Sequence, residues 1–358
     1  MGVKRKDLDF GKEGSDETAS EVLLPGAPSD SGQLSIQPDR AEFVKELFGL
    51  SAGGGTLIVG DGNLSFASSM ACLAADATIV ATTFESVENF QTNFASSSKR
   101  VQALREKGVR VFHGVDATNL AGTLLAPDAA DFSTIIFQFP QHPDRRKINK
   151  HRELLRGFFA SACAKLSANG KVVVSLCKGQ GGTAAETVQK PAGDTWQVQD
   201  LAAESGMILV RAEPCPVDEL TKLGYTCTGF RATGTVHQER EFNLEGALTH
   251  VFCRDTLGLT AVHPIIQRHD ISFWVLPSFQ ESVFKELVEE VCGPRISTSL
   301  TLLDEYVSPE DGRQARTYRI HMDTSQQALS ARCAKEFGQT IRAQAASTGA
   351  EQRRRAQG

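Results

Sequence analysis

The chain lacks the features that mark membrane-spanning, secreted and zinc-binding proteins. Its 358 residues contain no run of eighteen apolar residues, so no membrane-spanning helix is predicted. The basic start at 1–6 precedes no apolar segment, which argues against secretion, and Lys6 stands where a myristoylation signal favours Ser or Thr. The eight cysteines form no Cys-x-x-Cys pair, and the histidines are not spaced to complete a zinc site. The sequence therefore predicts buried thiols in a reducing compartment and no bound metal.

An excess of positive charge is also missing. The net charge is −5, whereas affinity for nucleic acid depends on neutralising phosphates. Any RNA-binding surface is therefore predicted to be a local patch. With 41% hydrophobic and 23% charged residues, the composition is that of an ordinary soluble globular protein long enough for two domains with their own cores.

Changes of pattern divide the chain into two domains and two tails. Residues 1–40 are rich in Gly, Ser, Asp and Pro and are predicted to be disordered; the cations at 4–6 serve nuclear import or RNA contact, or are simply solvated. Residues 41–258 alternate between helical and strand patterns, which predicts a Rossmann-like α/β domain with a mostly parallel sheet. Residues 263–346 follow a β-α-β-β-α order typical of an α+β ferredoxin-like domain, and 347–358 form a polar and basic tail.

Polar side chains follow four predicted strands of the first domain. The strands are predicted at 56–59, 78–83, 109–112 and 134–137. Ligands bind at the carboxyl ends of the strands in such sheets. One site is therefore predicted where these side chains meet: Asp61, Glu85, Asp116 and Gln138.

A glycine turn after the first strand is the centre of this site. The strand stops at Gly60-Asp61-Gly62, and a helical pattern opens behind it, with Asn63 and Ser65 as natural caps. The glycines let a ligand approach the backbone, and the helix start offers free N–H groups. A dinucleotide-binding turn would need a third glycine where Ser65 stands, and Asp61 would repel a pyrophosphate, so a nucleotide-dependent oxidoreductase is disfavoured. The amino-acid or ribose end of S-adenosylmethionine would tolerate or use that acid.

Five motifs of the first domain stand in a specific order: Gly60–Phe66, Val115–Leu120, Ile135–Pro140, Leu176–Thr183 and Leu248–Phe252. Over about 55–254 they resemble the BMT5-like domain, the Rossmann-like family of the large-subunit rRNA (uridine-N3)-methyltransferase. The resemblance implies a class I methyltransferase sheet, S-adenosylmethionine as cofactor, rRNA as substrate, and a cytoplasmic or nucleolar location.

The strand-end residues then receive roles in holding the cofactor. Gly60, Asp61, Gly62 and Asn63 are predicted to lie beside its methionine part, with Asp61 facing the ammonium group or, alternatively, capping the helix. Glu85 is predicted to accept from the ribose hydroxyls, with Thr83 as an equal candidate. Asp116 is predicted to accept from the adenine amino group, which is compatible with a capping role.

The turn after the fourth strand is predicted to hold the target base. It resembles the family's Asn-Phe-Pro-His, with Gln138 for Asn, Gln141 for His, and a histidine one position later. Gln138 is predicted to hydrogen-bond the imide edge and Phe139 to stack on the base; the alternative is a structural turn with a buried Phe. A general base should remove the N3 proton, with His142 and Asp61 as candidates. The candidate catalytic residues are Gln138, Phe139, Pro140 and His142.

Basic residues beside this turn predict the RNA-binding patch. The stretch 143–152 is rich in Lys and Arg, and Lys178 opens a glycine-rich loop that is interpreted as a phosphate cradle or a flexible lip. The alternative for 143–152 is the exposed start of a surface helix. The predicted RNA-binding residues are Arg145, Arg146, Lys147, Lys150 and Lys178.

The second domain has a resemblance of its own. The strings at 268–275, 303–306 and 317–320 resemble the ferredoxin-fold anticodon-binding domain found at the end of phenylalanyl-tRNA synthetases, which implies RNA binding. That family has a last strand where 348–355 stands, and this polar segment predicts a sheet one strand short. Phe273 and Trp274 alternate on a strand, so one is predicted to enter the core and the other to be placed for stacking on a base.

These observations predict an S-adenosylmethionine-dependent rRNA (uridine-N3-)-methyltransferase, with rRNA or tRNA as partner. The alternative is a non-catalytic RNA-binding protein that retains a Rossmann-like shell. The substitutions Gln138 and Gln141 and the negative charge favour this alternative.

Overall fold

A seven-stranded sheet dominates the computed structural model, which describes residues 36–124, 131–142, 144, 147–228 and 243–352. Its strands are β1 Gly55–Val59, β2 Thr78–Thr82, β3 Arg110–Phe112, β4 Phe132–Gln138, β5 Leu166–Leu176, β6 Met207–Pro214 and β7 Leu248–Arg254. The strand order is β3-β2-β1-β4-β5-β7-β6. Neighbours from β3 to β5 pair in parallel, and β7 is antiparallel to both β5 and β6. The predicted Rossmann-like α/β class is confirmed.

Helices accompany this sheet: α1 Pro38–Phe48, α2 Ser65–Leu73, α3 Val87–Asn93, α4 Ser98–Glu106, α5 Leu120–Thr123, α6 Ile148–Cys163, α7 Val198–Ala203 and α8 Val217–Lys222. Alternate side chains of one strand enter different cores. Ile58 packs in a cluster with Phe66 and Phe90, whereas its neighbours Leu57 and Val59 pack in a second cluster. Burial on both faces explains why these strands read as continuous apolar runs.

Of the predicted N-terminal tail at 1–40, residues 1–35 lie outside the described part of the chain. Residues 38–40 belong instead to α1, where Pro38 occupies a first-turn position in which its missing N–H is harmless. The helix ends at Gly49, whose φ of +64° gives a left-handed C-cap. The tail therefore ends earlier than the composition suggests.

A second, antiparallel sheet follows. It contains β8 Ile266–Val275, β9 Ser297–Val307, β10 Gln314–Asp323 and β11 Ala350–Gln352, in the order β11-β8-β10-β9, with helices α9 Glu281–Cys292 and α10 Ala331–Gln344. The arrangement confirms the predicted ferredoxin-like α+β domain. A core on one face contains Phe273, Phe284 and Tyr318.

The last strand corrects two predictions: the sheet is not one strand short, and the polar tail does not begin at 347. Ala350, Glu351 and Gln352 pair with β8, and Ala350 is 2% exposed. The N–H of Leu276 donates to the carbonyl oxygen of Gly349, which joins the end of β8 to the turn before β11. Tertiary pairing therefore makes a strand from a segment whose intrinsic propensity is low.

Gly349→Ala is expected to destabilise this domain by about 2–4 kcal/mol. Gly349 has φ +83°, and a Cβ would stand 2.6 Å from the backbone nitrogen of Phe279. Gly258→Ala is the matched control, since Gly258 has the same left-handed conformation, φ +68° and ψ 17°, with nothing within 4 Å, and should cost about 1 kcal/mol. Urea unfolding measures both; equal losses would show that crowding at Gly349 is unimportant.

The two domains share hydrogen bonds through α7. Oδ1 of Asp200 accepts from the N–H of Ala331 at 2.6 Å, in the first turn of α10, and from Nε2 of Gln267 at 3.2 Å. Asp255 accepts in the same way from the N–H of Ala328 at 3.0 Å. Carboxylates of the first domain thus satisfy backbone donors at the start of a helix of the second.

Candidate active site

A cavity of about 460 Å³ opens at the carboxyl ends of β1, β2, β3 and β4. β1 and β4 are neighbours from which the sheet continues in opposite directions, and such switch points are where ligands bind in open α/β sheets. All but one of the predicted cofactor and catalytic residues line it: Gly60, Asp61, Gly62, Asn63, Glu85, Asp116, Gln138, Phe139 and His142. The exception is Pro140, which is buried and does not line the cavity.

The turn between β1 and α2 needs its first glycine. Gly60 has φ +64°, and a Cβ there would stand 2.9 Å from Cε2 of Phe137, so a side chain would be both strained and crowded. The N–H of Gly60 donates to Oγ1 of Thr82, and the N–H of Asp61 donates to the carbonyl oxygen of the same residue. The turn is therefore fastened to β2.

Asp61 lies beneath the start of α2 with 8% of its surface exposed. Its Oδ2 accepts from the N–H of Ala67 at 2.7 Å, whereas the N-cap residue itself, Leu64, makes no side-chain cap. Burial raises the pKa of Asp61 to about 6, although hydrogen bonds from α2 and the charge of Arg100 oppose the shift. Asp61 thus makes the capping contact foreseen as an alternative and also lines the cavity.

The side chain of Asn63 joins the turn to a distant segment. Its Nδ2 donates to Oγ1 of Thr226 at 2.8 Å, and its Oδ1 accepts from the N–H of Ser65, which is the predicted cap. Among the described residues, the backbone N–H groups of Gly62 and Asn63 have no hydrogen-bond partner. These two groups are therefore free to receive an anion.

Glu85 and Thr83 stand differently at the end of β2. Thr83 is fully buried; its hydroxyl donates to the carbonyl oxygen of Glu85 and lies 2.8 Å from Nδ1 of His113. Glu85 lines the cavity, and burial raises the pKa of its carboxyl group. Of the two candidates for the ribose, the geometry favours Glu85.

Asp116 makes the predicted capping contact at the end of β3. Its Oδ1 accepts from the N–H and the hydroxyl of Thr118, each at 2.8 Å. The residue also lines the cavity, so the capping role and a ligand contact remain compatible.

The turn after β4 combines strain with an unsatisfied amide. Phe139 has φ +47°, a left-handed conformation that is uncommon outside glycine, and its N–H donates to the carbonyl oxygen of Ser175. Phe139 is 5% exposed and packs in a core cluster, as the structural alternative foresaw, yet it also lines the cavity. Both polar atoms of the Gln138 amide are buried without a partner among the described residues. Buried unsatisfied groups are rare, and this one lies on the wall of the cavity, where a ligand could complete its bonding.

His142 is held as a hydrogen-bond acceptor. Its Nδ1 accepts from the N–H of Asp144 at 3.0 Å, so the neutral ring carries its proton on Nε2. In this state His142 presents a donor. A role as general base would require the contact with Asp144 to break.

The predicted RNA-binding residues differ in whether the structure describes them and in what they contact. Arg145 and Arg146 lie outside the described residues. Nζ of Lys147 is 3.1 Å from Asp144, and Nζ of Lys150 is 2.7 Å from Glu153, all on the surface. Exposed pairs of this kind are weak, so both lysines stay available to phosphate groups. Lys178 is exposed at the start of the glycine-rich loop.

The glycine-rich loop at 178–183 holds a carboxylate of its own chain. The N–H groups of Gly179 and Gly181 donate to Glu186 at 2.6 and 2.9 Å, and Glu186 is 5% exposed. The interpretation of these amides as a phosphate cradle is wrong, because a second anion would meet the first.

Several lining residues gave no recognisable sequence signal: Phe84, Phe94, Glu153, Leu154, Gly157, and Tyr225 to Thr228. Phe84 is 53% exposed beside Glu85, but a single exposed apolar side chain is common on protein surfaces and gives no signal of its own. The segment 225–228 is brought in by Asn63, more than 160 residues away, which no local pattern reveals.

The cavity is acidic. Its described lining contains the carboxylates of Asp61, Glu85, Asp116 and Glu153 and no Lys or Arg. Such a site favours a cationic ligand over one carrying a pyrophosphate.

In the second domain, Phe273 and Trp274 enter opposite faces of the sheet. Phe273 is 2% exposed in the core. Trp274 is half-buried on the other face, 6.3 Å from the ring of Tyr306 and beneath the guanidinium of Arg313 at 4.6 Å. The predicted division between the two aromatics is confirmed.

None of the helices in the described part of the chain is long and apolar enough to cross a membrane. No group of three or more His, Cys, Asp or Glu side chains among the described residues is arranged to hold a metal ion. All eight cysteines are free, but only Cys215, Cys253 and Cys292 are buried and Cys72 is exposed, so the prediction of buried thiols is confirmed for those three alone.

Residues 57–227 match the family model described as rRNA (uridine-N3-)-methyltransferase BTM5-like, which confirms the resemblance over that range. Ferredoxin-fold anticodon-binding domain-containing protein 1 homolog of Mus musculus is 40% identical over 197 residues, and the Homo sapiens protein of that name is 37% identical over 199. Each alignment covers 55% of this chain and 30% of the relative, so the chain spans under a third of these relatives. Among solved structures, TrmN from Thermus thermophilus is similar with a TM-score of 0.35 and 13% identity, covering 60% of this chain and 48% of that one.

Proposed function

We propose that the protein is an S-adenosylmethionine-dependent RNA methyltransferase whose target is N3 of a uridine in rRNA, in the cytoplasm or nucleolus. The observation that carries the proposal is the acidic lining of the cavity at the β1–β4 switch point, inside the region that matches the BMT5-like family model. S-adenosylmethionine carries a sulfonium and an ammonium group, which carboxylates attract, whereas a dinucleotide carries a pyrophosphate, which they repel.

The residues present fit this cofactor. The partnerless N–H groups of Gly62 and Asn63 would receive its carboxylate, and Asp61 beside them would face its ammonium group. Glu85 would accept from both ribose hydroxyls and Asp116 from the adenine amino group. A ribose would give the half-buried carboxylate of Glu85 two donors, and an ammonium group would give Asp61 a charged partner beside the N–H of Ala67.

Gln138 would act on the uracil. The cofactor supplies a methyl group on a positively charged sulfur, so the protein has to align the base and favour transfer of its N3 proton to solvent water. When that proton leaves, negative charge spreads onto the two carbonyl oxygens of the base. Nε2 of Gln138, unsatisfied in the described structure, would donate to one of them and stabilise this charge.

The affinity for S-adenosylmethionine is expected to rise about tenfold from pH 5 to pH 7. Asp61 has a pKa near 6 in the free protein, and an ammonium partner favours its ionised form, so binding releases a proton below pH 6. Isothermal titration across this range measures the change. Asp61→Asn retains an oxygen for the N–H of Ala67 and should abolish the dependence; a wild-type affinity independent of pH would contradict the contact.

The same pKa predicts how stability changes with pH. Because folding raises the pKa of Asp61, the folded state binds more protons than the unfolded chain between about pH 4 and 6. The contribution of Asp61 to stability is thus largest below pH 4 and is lost as the pH rises through 6. Asp61→Asn removes this contribution. Its free energy of unfolding in urea should therefore change less between pH 4 and pH 7 than that of the wild type.

The test of the proposed function is titration of the purified protein with S-adenosylmethionine, with NADH as the control ligand and Asp116→Ala as the variant. Binding to the wild type that is lost in the variant justifies mapping methylated uridines in rRNA from cells without the protein. An intact, folded protein that binds NADH or neither ligand overturns the proposal.

A non-catalytic RNA-binding protein is the second candidate, favoured by the second sheet. Trp274, Tyr306 and Arg313 form an aromatic cluster with one guanidinium on its open face, where Arg313 is also paired with Glu351, and the two rings are suited to stacking on unpaired bases. RNA binding that is lost in Trp274→Ala, without any affinity for S-adenosylmethionine, would identify this function.

A further inference from the structure

The turn that carries Gln138 is supported at both ends. At its start, the N–H of Phe139 donates to the carbonyl oxygen of Ser175 on β5 and holds the left-handed backbone in place. At its end, the N–H of His142 donates to Nδ1 of His151, 3.3 Å away on α6. Gln138 is held by the pairing of β4 with β5, and the turn that follows it is held by one contact with the sheet and one with a histidine.

His151 is fixed where it makes this contact. It is 3% exposed, and its ring stacks on Trp196 with centroids 4.2 Å apart and an interplanar angle of 5°. The next residue, Arg152, donates to the carbonyl oxygens of Thr195, Ala192 and Gly193, so the segment leading to Trp196 is tied to the same helix. The stacking on Trp196 and the hydrogen bonds of the Arg152 guanidinium together hold the imidazole ring of His151 in place.

His151 does not line the cavity, so it acts on the reaction only through the turn. Its Nδ1 accepts, which requires the tautomer with the proton on Nε2. A displacement of about 1 Å in an aligning group is enough to slow a reaction about 100-fold. The support of His142 therefore bears directly on how Gln138 meets the base.

We propose that His151 is a positioning residue for methyl transfer, which holds the turn from Gln138 to His142 through the acceptor at Nδ1. The inference rests on the proposed function of the same site. It assigns a catalytic consequence to a residue that contacts neither cofactor nor base.

Two substitutions of His151 test the Nδ1 acceptor and the stacked ring independently of each other. His151→Phe keeps a flat ring on Trp196 but removes the acceptor, whereas His151→Asn keeps an oxygen near the position of Nδ1 but removes the stack. In the 358-residue chain, His151→Phe is expected to lower kcat about tenfold or more, with the Kd for S-adenosylmethionine unchanged. His151→Asn is expected to stay within about threefold of the wild type.

Hydrogen exchange of the peptide that carries Phe139 to His142 gives a readout independent of activity. The His142 amide should exchange faster in His151→Phe and stay protected in His151→Asn. A larger loss of kcat in His151→Asn, or unchanged exchange in His151→Phe, overturns the positioning role. A wild type that binds the cofactor but methylates no RNA overturns the proposed function instead, and the exchange data then decide the positioning role alone.

Discussion

Glu85→Ala is expected to weaken S-adenosylmethionine binding about 100-fold, because two charge-assisted hydrogen bonds to the ribose are lost at once. Glu85 lines the cavity and, unlike Thr83, is not tied up by the backbone and His113. Isothermal titration at pH 7.5 measures the loss. Glu88→Ala removes the same charge from the exposed start of α3 and serves as the matched control.

Glu85→Gln tests the electrostatic part of this argument. Burial raises the pKa of Glu85, so at neutral pH its carboxylate destabilises the empty protein. The amide should therefore raise the melting temperature of the free protein while weakening cofactor binding. A variant that binds as tightly as the wild type would place the ribose elsewhere.

Gln138→Met is expected to slow methyl transfer about 100–1,000-fold and to leave cofactor binding almost unchanged. The side chain keeps its volume but loses the amide that would stabilise the deprotonated base. Because both polar atoms of Gln138 are buried without a partner among the described residues, their removal should also stabilise the free protein. Single-turnover kinetics with target RNA and thermal unfolding measure the two effects.

Gln141→Met is the control for that experiment. Gln141 lies in the same turn and lines the same cavity, but it does not share the unsatisfied amide of Gln138. Its rate should fall less than about tenfold. Equal losses in the two variants would assign the effect to the shape of the turn rather than to the Gln138 amide.

The position of the site was predictable because parallel strands bring their carboxyl ends together. Asp61, Glu85, Asp116 and Gln138 follow four such strands, and all line one cavity. The strands themselves were predictable since burial on both faces leaves continuous apolar runs.

Contacts between distant parts of the chain were not predictable. Nothing near Asn63 indicates that it bonds Thr226, and nothing in the glycine-rich loop indicates that Glu186 fills it. The short strand β11 is polar in sequence and forms only because β8 offers an unpaired edge. These features depend on tertiary partners, whereas composition and periodicity report local preference.

The helix α7 makes the two domains thermodynamically dependent on each other. Trp196, which supports His151, lies two residues before α7, and Asp200 on α7 accepts from the first turn of α10. If the second sheet unfolded alone, Asp200 would lose its hydrogen bonds to Ala331 and Gln267. The helix α7, which follows Trp196, would then be held less firmly. Heating should therefore give one cooperative calorimetric transition, and shortening the chain at its C-terminal side should reduce catalysis even with every cavity residue in place.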